Sequence, residues 1–556
     1  MTAGAVGQGR AAGPEGASST VHVIGASALG TVFEWYDFFL YGSLASDIAA
    51  HFFSGVSAAT GFIFALATFA VGFIVRPIGA LLFGRIGDLA GRKNTFLVTL
   101  ALMGISTFLV GVLPGYDAIG MAAPLALVAL RLVQGLAIGG EYGGAIIFVA
   151  EHAAAERRGL FTSSIPATAV AGLLLSLAVI LATRHAMSPE DFADWGWRLP
   201  FLLSLILLAI SLWIRMRLQE SPVFRQMKAE QRLSRSPLSE AFLDWSNGRR
   251  VLIAIFGVVI GQAVTFYTAT FYPIFFLERI ARVDPATGTM LVGIALVIAT
   301  PLVLLAGWLC DRIGRRPVLL MGVALAAMLY FPAFGALLGA ANPALAQAMK
   351  TSPVVAVVSP EDCSLQFDLV GRKRFDESSC DVVQSFLARA GVSHSTAPLA
   401  APGPARLRIG DRVLAAPDGL VLSGTGGAHA IARFEALARS ALAEAGYPEA
   451  ADPARIARVR LVAILVCVLA ALALCSGAYG AMLVELFPAR FRYSAVSVAQ
   501  NVGNGWFGGL LPAVAFAIVA ATGNVFAGLW YPVGICVICF LVALVAVPET
   551  RGQAIH

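Results

Sequence analysis

The sequence predicts an all-α membrane protein: twelve transmembrane helices in two pseudo-symmetric six-helix bundles, with a small α+β insert between helices nine and ten. Three observations carry that expectation. Of 556 residues, 58% are hydrophobic and only 13% are charged, a balance foreign to soluble globular domains. About twelve apolar runs of roughly 20 residues follow one another, each long enough to cross about 30 Å of hydrocarbon as a helix. A short charged stretch, Gly84 to Lys93 (GRIGDLAGRK), returns as Gly307 to Pro317 (GWLCDRIGRRP). Asp88 is answered by Asp311, Gly91 by Gly314, and the pair Arg92 and Lys93 by Arg315 and Arg316. Each copy follows the second hydrophobic segment of its half, so the chain is internally duplicated.

Helices are the expected spanning form because backbone groups in lipid need internal partners, and no ten-residue alternating pattern signals a barrel. Residues 1–20, rich in Ala, Gly and Ser, read as a disordered tail. The first apolar run contains Glu34 and Asp37 and lacks a convincing cleavage site, so it is expected to stay as helix one rather than serve as a signal peptide. Segments near 21–44, 58–83, 94–113, 122–150, 161–183 and 197–217 fill the first bundle, residues 21–217. A polar, basic linker occupies 218–250. Helices seven to nine lie near 251–277, 288–310 and 318–340, within 251–340; helices ten to twelve lie near 459–481, 496–520 and 525–548, within 459–548; a tail, 549–556, follows.

Basic residues set the orientation. Arg85, Arg92 and Lys93, then Arg157 and Arg158, then Arg312, Arg315 and Arg316 cluster in alternate loops, and Arg215, Arg217, Arg225, Lys228, Arg232, Arg235, Arg249 and Arg250 fill the middle one. The opposite loops hold few, with Arg184, Arg198, Arg279 and Arg282 as exceptions. This bias places both termini and the repeated motif in the cytoplasm. The net charge of +6 is thereby a matter of topology, not of nucleic-acid binding.

Residues 341–458 contain no membrane-spanning run, and parity places them outside, in the periplasm. Val354 to Val358, Arg406 to Ile409 and Leu420 to Leu422 are short aliphatic runs between turn residues. Ile431, Phe434, Leu437 and Leu442 recur at helical spacing within 428–445. Cys363 and Cys380 are the insert's two cysteines, and in an oxidising compartment a disulfide between them is expected. A metal site is disfavoured because no histidine pair accompanies them. The remaining cysteines, Cys310, Cys467, Cys475, Cys536 and Cys539, fall in or at the ends of membrane segments and read as small apolar side chains.

Helix one reads GTVFEWYDFFLYG and places Glu34 and Asp37 on neighbouring positions of one face. Acids within the membrane face a bundle interior or a watery cavity and take a partner. The partner expected here is Arg131 of helix four, at overlapping depth. Arg131, Gln134 and Glu141 share one polar face of that helix. One reading makes Asp37, Glu34 and Arg131 a proton-coupling site, with Arg131 and Gln134 also available to a bound anion; the other is a permanent salt bridge locking two helices. Gly135, Gly139, Gly140, Gly143 and Gly144 allow close helix packing. Gln262 and Tyr267 of helix seven and Asn501 of helix eleven are further candidates for binding a polar substrate, set against simple interhelical hydrogen bonding. There is no phosphate-binding Gly-Lys-Ser or Gly-Lys-Thr loop and no histidine cluster with ligand spacing, so neither an enzyme nor an ATP-driven pump is expected.

The repeated loop, with RLVQGLAIGGEYGGA, AEHAAAERRG, WGWRLPFLLS, GQAVTFYTATFYPIFFL, NGWFGG and the PETRG ending, resembles the major facilitator superfamily and, within it, the metabolite:proton symporter family. Its members include permeases for shikimate, dicarboxylates, 2-oxoglutarate, proline and betaine. The resemblance covers nearly all the chain except the tail and insert. It implies twelve helices built from inverted repeats, a central site, and gating by Asp88 with Arg92, echoed by Asp311 with Arg315. It also implies proton-coupled import of an organic acid or zwitterion across a bacterial inner membrane. A monomer with no cofactor is expected, its partners being substrate, protons and the bilayer. Helix five lacks the Gly-Pro signature of antiporters, reading IPATAVAG at 165–172. Proton-exchange efflux and a sensor using the insert are the alternatives.

Overall fold

The computed structural model describes residues 14–54, 64, 68, 70–216, 222–230, 236–359, 363, 378–399, 403–418 and 427–553. The first half is built from α1 (Pro14–Ser43), α2 (Arg76–Ala90), α3 (Arg92–Val112), α4 (Ala122–His152), α5 (Ser164–Ala186) and α6 (Leu199–Met216). The second half contributes α7 (Trp245–Ile280), α8 (Pro285–Ile313), α9 (Arg315–Ala341), α10 (Arg458–Glu485), α11 (Arg492–Val519) and α12 (Trp530–Ala546). Ten helices, α3 to α12 with short preceding turns in places, are long and apolar enough to cross a membrane among the described residues. The expected second segment near 58–83 lies partly outside them. The seventh helix begins at Trp245, inside the stretch assigned to the linker.

The glycines of the repeated motif have a backbone reason to be there. Gly91 and Gly314 adopt nearly the same left-handed geometry, φ 111° and 110°. Each turns the chain sharply from one helix into the next, a conformation that side chains with a Cβ disfavour. The helix-four glycines also act as expected. A Cβ at Gly139 would run into the backbone oxygen of Arg76, and one at Gly79 into that of Leu136, so α2 and α4 meet backbone to backbone.

Within the halves, α1 packs on α5, α3 on α4 and α6, and α10 against α8 and α9. Between them, α2 packs on α11, and α8 on the Arg158–Thr162 turn that leads into α5. Wide π-type turns interrupt α7 at Ile255–Val259 and Phe276–Ile280, and α11 at Val502–Gly508. Such turns shift helix register and recur at functional sites.

Between α9 and α10 the chain forms a four-stranded sheet, order β2-β1-β3-β4. Strand β1 (Val354–Val358) runs parallel to β2 (His394–Pro398) and antiparallel to β3 (Arg406–Ile409), which pairs with β4 (Arg412–Ala415). Helices Ser379–Ala390 and Gly427–Glu444 accompany it. Phe434 and Leu442 are buried as the periodicity predicts, whereas Leu437 is exposed, and Leu420 to Leu422 lie outside the described residues. Cys363 and Cys380 form a disulfide, with Cα atoms 5.2 Å apart.

The sheet unit is fastened to the second half. Arg282, itself in a left-handed conformation, donates to the carbonyls of Pro448 and, at 2.6 Å, Ala390, while its own carbonyl accepts from Ala451 N at 2.9 Å. The backbone N–H of His394 donates to Gly523 O at 2.8 Å. Arg282, an exception to the loop charge pattern, therefore serves as a clamp.

Candidate functional site

The two copies of the charged motif close one end of the molecule in the same way. Asp88, at the end of α2, is 2% exposed and accepts from the N–H groups of Tyr493 and Ser494 at 3.2 and 2.9 Å, and from Ser494 Oγ at 2.7 Å. It thus caps the first turn of α11 in the opposite half, where unpaired N–H groups and the helix dipole favour a carboxylate. Asp311, at the end of α8, accepts from the N–H groups of Gly159 and Leu160, both at 2.8 Å, in the turn leading into α5. Here too the acid reaches across to the other half. The side chain of Arg92 lies outside the described residues. Arg315 contacts Asp311 at 2.7 Å and Glu485 at 3.3 Å, both buried.

A second pair of contacts follows the same pseudo-symmetry. Glu151, at the end of α4, pairs with Arg492 at the start of α11; Glu485, at the end of α10, pairs with Arg158 before α5; both distances are 2.7 Å and all four side chains are buried. Sequence reasoning passed over Glu151, Glu485 and Arg492 and read Arg158 only as a loop charge, although a signal was present. Glu151 and Arg158 are separated by seven positions, and so are Glu485 and Arg492. Each arginine pairs with the glutamate of the other copy.

Deeper in the first half, three acids converge. Glu34 is 8%, Asp37 6% and Glu141 2% exposed. The cation beside Glu34 is Arg215 of α6, not Arg131, which corrects the expected pairing. Arg215 also lies 3.4 Å from Glu141 and 3.7 Å over the ring of Phe96. Gly30 of α1 makes the space, since a Cβ there would approach Arg215 Nε to 2.5 Å. From the sequence Arg215 reads as a charge of the middle loop, because depth along the chain alone does not tell which way a long side chain folds back. Asp37 Oδ1 is buried without a hydrogen-bond partner.

Arg131 instead stacks 3.5 Å from the ring centre of Tyr41 and donates to Gln134 Oε1 at 2.6 Å. Gln134 passes the chain of bonds on to Thr107 at 3.0 Å. Asn501 donates to Gly139 O at 2.7 Å and to Ser497 O at 2.8 Å, bridging the halves. Gln262 Oε1 and Gln500 Oε1 are buried without a donor. Tyr267 joins an aromatic layer in which Trp35, Phe38, Phe39 and Phe73 of the first half meet Phe266, Tyr267 and Phe271 of the second. Arg76 is set into this layer, and sequence reasoning missed it. Among the described residues no group of three or more His, Cys, Asp or Glu side chains could hold a metal ion.

Two helical halves joined at one end by reciprocal buried ion pairs, with polar side chains between them, have the major facilitator fold. The profile of the sugar (and other) transporter family matches residues 23–244 and 225–359. The chain belongs to that family. It is 36% identical over 324 residues to the proline/betaine transporter of Escherichia coli (strain K12), 56% of this chain and 63% of that protein. It is 37% identical over 317 residues to the shikimate transporter of the same organism, 56% of this chain and 71% of that protein. The chain thus spans less than two thirds of the proline/betaine transporter's length. Among solved structures, the proton:xylose symporter XylE bound to 6-bromo-6-deoxy-D-glucose superposes with a TM-score of 0.63 at 15% identity, covering 97% of this chain and 98% of that one. A partially occluded inward-open form of the xylose transporter XylE from E. coli gives 0.57 at 16% identity, with 97% and 100% covered. These structures share the fold. The relatives are transporters, and the chain is not an enzyme.

Proposed function

We propose that this chain is a proton-coupled symporter that imports a small organic acid or zwitterion by alternating access. In this reading twelve helices cross a bacterial inner membrane, the motif face and both termini are cytoplasmic, and the insert is periplasmic. One monomer works with the proton gradient and no cofactor. The observation that carries the reading is the buried grouping of Glu34 and Glu141 around the guanidinium of Arg215, with buried Asp37 three residues from Glu34 on α1. One cation matches one carboxylate, so the remaining acids in this water-poor interior call for protons or a bound cation. Such a site can bind and release protons as the halves rock.

The reciprocal ion pairs supply the second requirement, a motif face that is shut. Relatives whose names specify proline and betaine or shikimate support a carboxylate-bearing substrate, and Gln262, Gln500, Tyr267 and Arg131 are the candidates to position it. Asp37 is the proposed proton carrier, with Glu34 the second.

Uptake into proteoliposomes under an imposed pH gradient tests the reading, using labelled proline, betaine, shikimate and 2-oxoglutarate. Gradient-dependent accumulation of one compound, abolished in Asp37→Asn, is the expected result. Accumulation that ignores the gradient would remove the proton from the mechanism. Gradient-driven exit of preloaded solute would replace import by efflux.

A further inference from the structure

We infer that Arg76 is the anchor for a carboxylate group of the transported solute, held at the junction of the two halves. The inference rests on the transport reading and deepens it by naming a residue, absent from that reading, that receives the carboxylate.

Arg76 opens α2, 15 residues before Gly91, which places it about 22 Å from the motif face at 1.5 Å per residue. That is deep within a layer about 30 Å thick. It is 3% exposed. Its guanidinium carbon lies 4.7 Å from the ring centre of Phe38 and 4.4 Å from that of Phe73, with the Tyr267 hydroxyl of the second half beside it. Gly505, in the wide turn of α11, completes the surround, because a Cβ there would lie 3.7 Å from that of Arg76. Groups from α1, α2, α7 and α11 therefore enclose one cation.

Its environment differs from that of four other buried arginines, and from that of Arg131, which donates to the amide oxygen of Gln134 at 2.6 Å. Arg158, Arg215, Arg315 and Arg492 each contact a carboxylate. Around Arg76 the described contacts are aromatic faces and a phenol, and the second cation of the region, Arg131, is near enough to interact with it electrostatically. Rings offset part of the loss of hydration, yet they leave in-plane N–H donors unused. The unused donors are Nε and Nη2, both buried and without a hydrogen-bond partner. These two atoms form the side edge of the guanidinium, the edge that receives both oxygens of a carboxylate in parallel hydrogen bonds. A lysine would offer a point charge without that fork. Because Tyr267 and Gly505 belong to one half and Arg76 to the other, a solute bound at this edge sits where the halves part.

The test uses purified full-length protein and two readouts. Thermal stabilisation is measured with proline, betaine, shikimate and 2-oxoglutarate, each against its carboxyl methyl ester and with xylose as an uncharged control; uptake is measured in proteoliposomes. At least one acid is expected to bind, to be preferred over its ester, and to bind about 100-fold more weakly in Arg76→Gln, as loss of a charge-assisted pair of bonds implies. Arg76→Lys, which keeps the charge, should fold and recover part of the affinity while losing most of the acid-to-ester preference. A structural role alone would weaken folding without altering that preference. Equal binding of acid and ester, an unchanged preference in both variants, or binding of xylose alone overturns the assignment even if gradient-driven transport persists. Conversely, Arg76-dependent acid binding without gradient-driven uptake preserves the anchor and removes the symport reading.

Discussion

Glu151→Ala tests whether the two lobes of the motif face open as one body. Glu151 and Arg492 meet at 2.7 Å with side chains 0% and 1% exposed. Deleting the carboxylate leaves Arg492 buried without its charge partner, Phe487 O still accepting from its Nε at 3.0 Å. Removing one member of a buried pair costs about 3–5 kcal/mol, mostly from the stranded charge. Opening the face hydrates Arg492 and relieves that cost, so the open-to-closed ratio should rise about 100-fold or more, at roughly 1.4 kcal/mol per tenfold. Cys310 provides a native reporter in the opposite lobe. It is fully buried, hydrogen-bonds to Gly307 O and Gly477 O at 3.1 and 3.4 Å, and faces Gly159 across the interface. With Cys467, the exposed free cysteine, replaced by Ala, maleimide labelling of Cys310 from the motif face should be slow in the parent and faster by up to that factor in Glu151→Ala. Cys310→Ser supplies the background. An exchanged pair, Glu151→Arg with Arg492→Glu, should slow labelling again. An unchanged labelling rate in a folded variant would refute the reasoning, because the ion pair would then not hold the other lobe shut.

Further outcomes follow from other contacts. Arg215→Met should lower thermal stability sharply and abolish gradient-driven uptake, since Glu34 and Glu141 lose their shared cation; calorimetry and uptake check it. Gly139→Leu should leave little folded protein by size-exclusion chromatography, because α4 meets the Arg76 carbonyl where the side chain would go. Burial holds the His394 imidazole below its ordinary value near 6.5, opposed by a bond to Val392 O. The unfolded chain therefore binds the proton more readily, and the stability from the neutral ring is complete above pH 6.5 and lost as pH falls below it. Melting temperatures between pH 7.5 and 5 should show that loss, and His394→Gln should flatten it.

The sequence was most legible where a local rule acts. Apolar length marked the long helices, and the duplicated motif exposed the two halves, because a left-handed glycine and a capping acid are needed at both equivalent turns. The short aliphatic run at 354–358 announced a strand, and the cysteine pair fell within bonding distance. What escaped depended on contacts between distant segments. Arg215 follows an apolar run and reads as a loop charge, yet its side chain turns inward to Glu34, 181 positions earlier. Arg131 was matched to the acids by depth, but depth does not fix rotation about a helix axis, and its face points to Tyr41. Arg76 gave no motif at all; only its ring neighbours and its two idle donors reveal it.

The two halves are related by design but not equivalent at the motif face. Around Glu485 the second lobe gathers Arg158, Arg315 and Thr550, the last donating at 2.7 Å, while Glu549 receives the N–H groups of Arg315 and Arg316 at 2.9 and 3.1 Å. The segment after α12 is thereby tied to the charged network, and the same lobe carries the insert through Arg282 and Gly523. A body braced at both ends favours rigid motion over internal flexing. The Glu151–Arg492 contact in the other lobe is a buried pair of full charges. Neutralising Glu151 should consequently open the face more readily than weakening any one of the several bonds around Glu485, so that Thr550→Val, which removes a single donor there, should change Cys310 labelling far less than Glu151→Ala does.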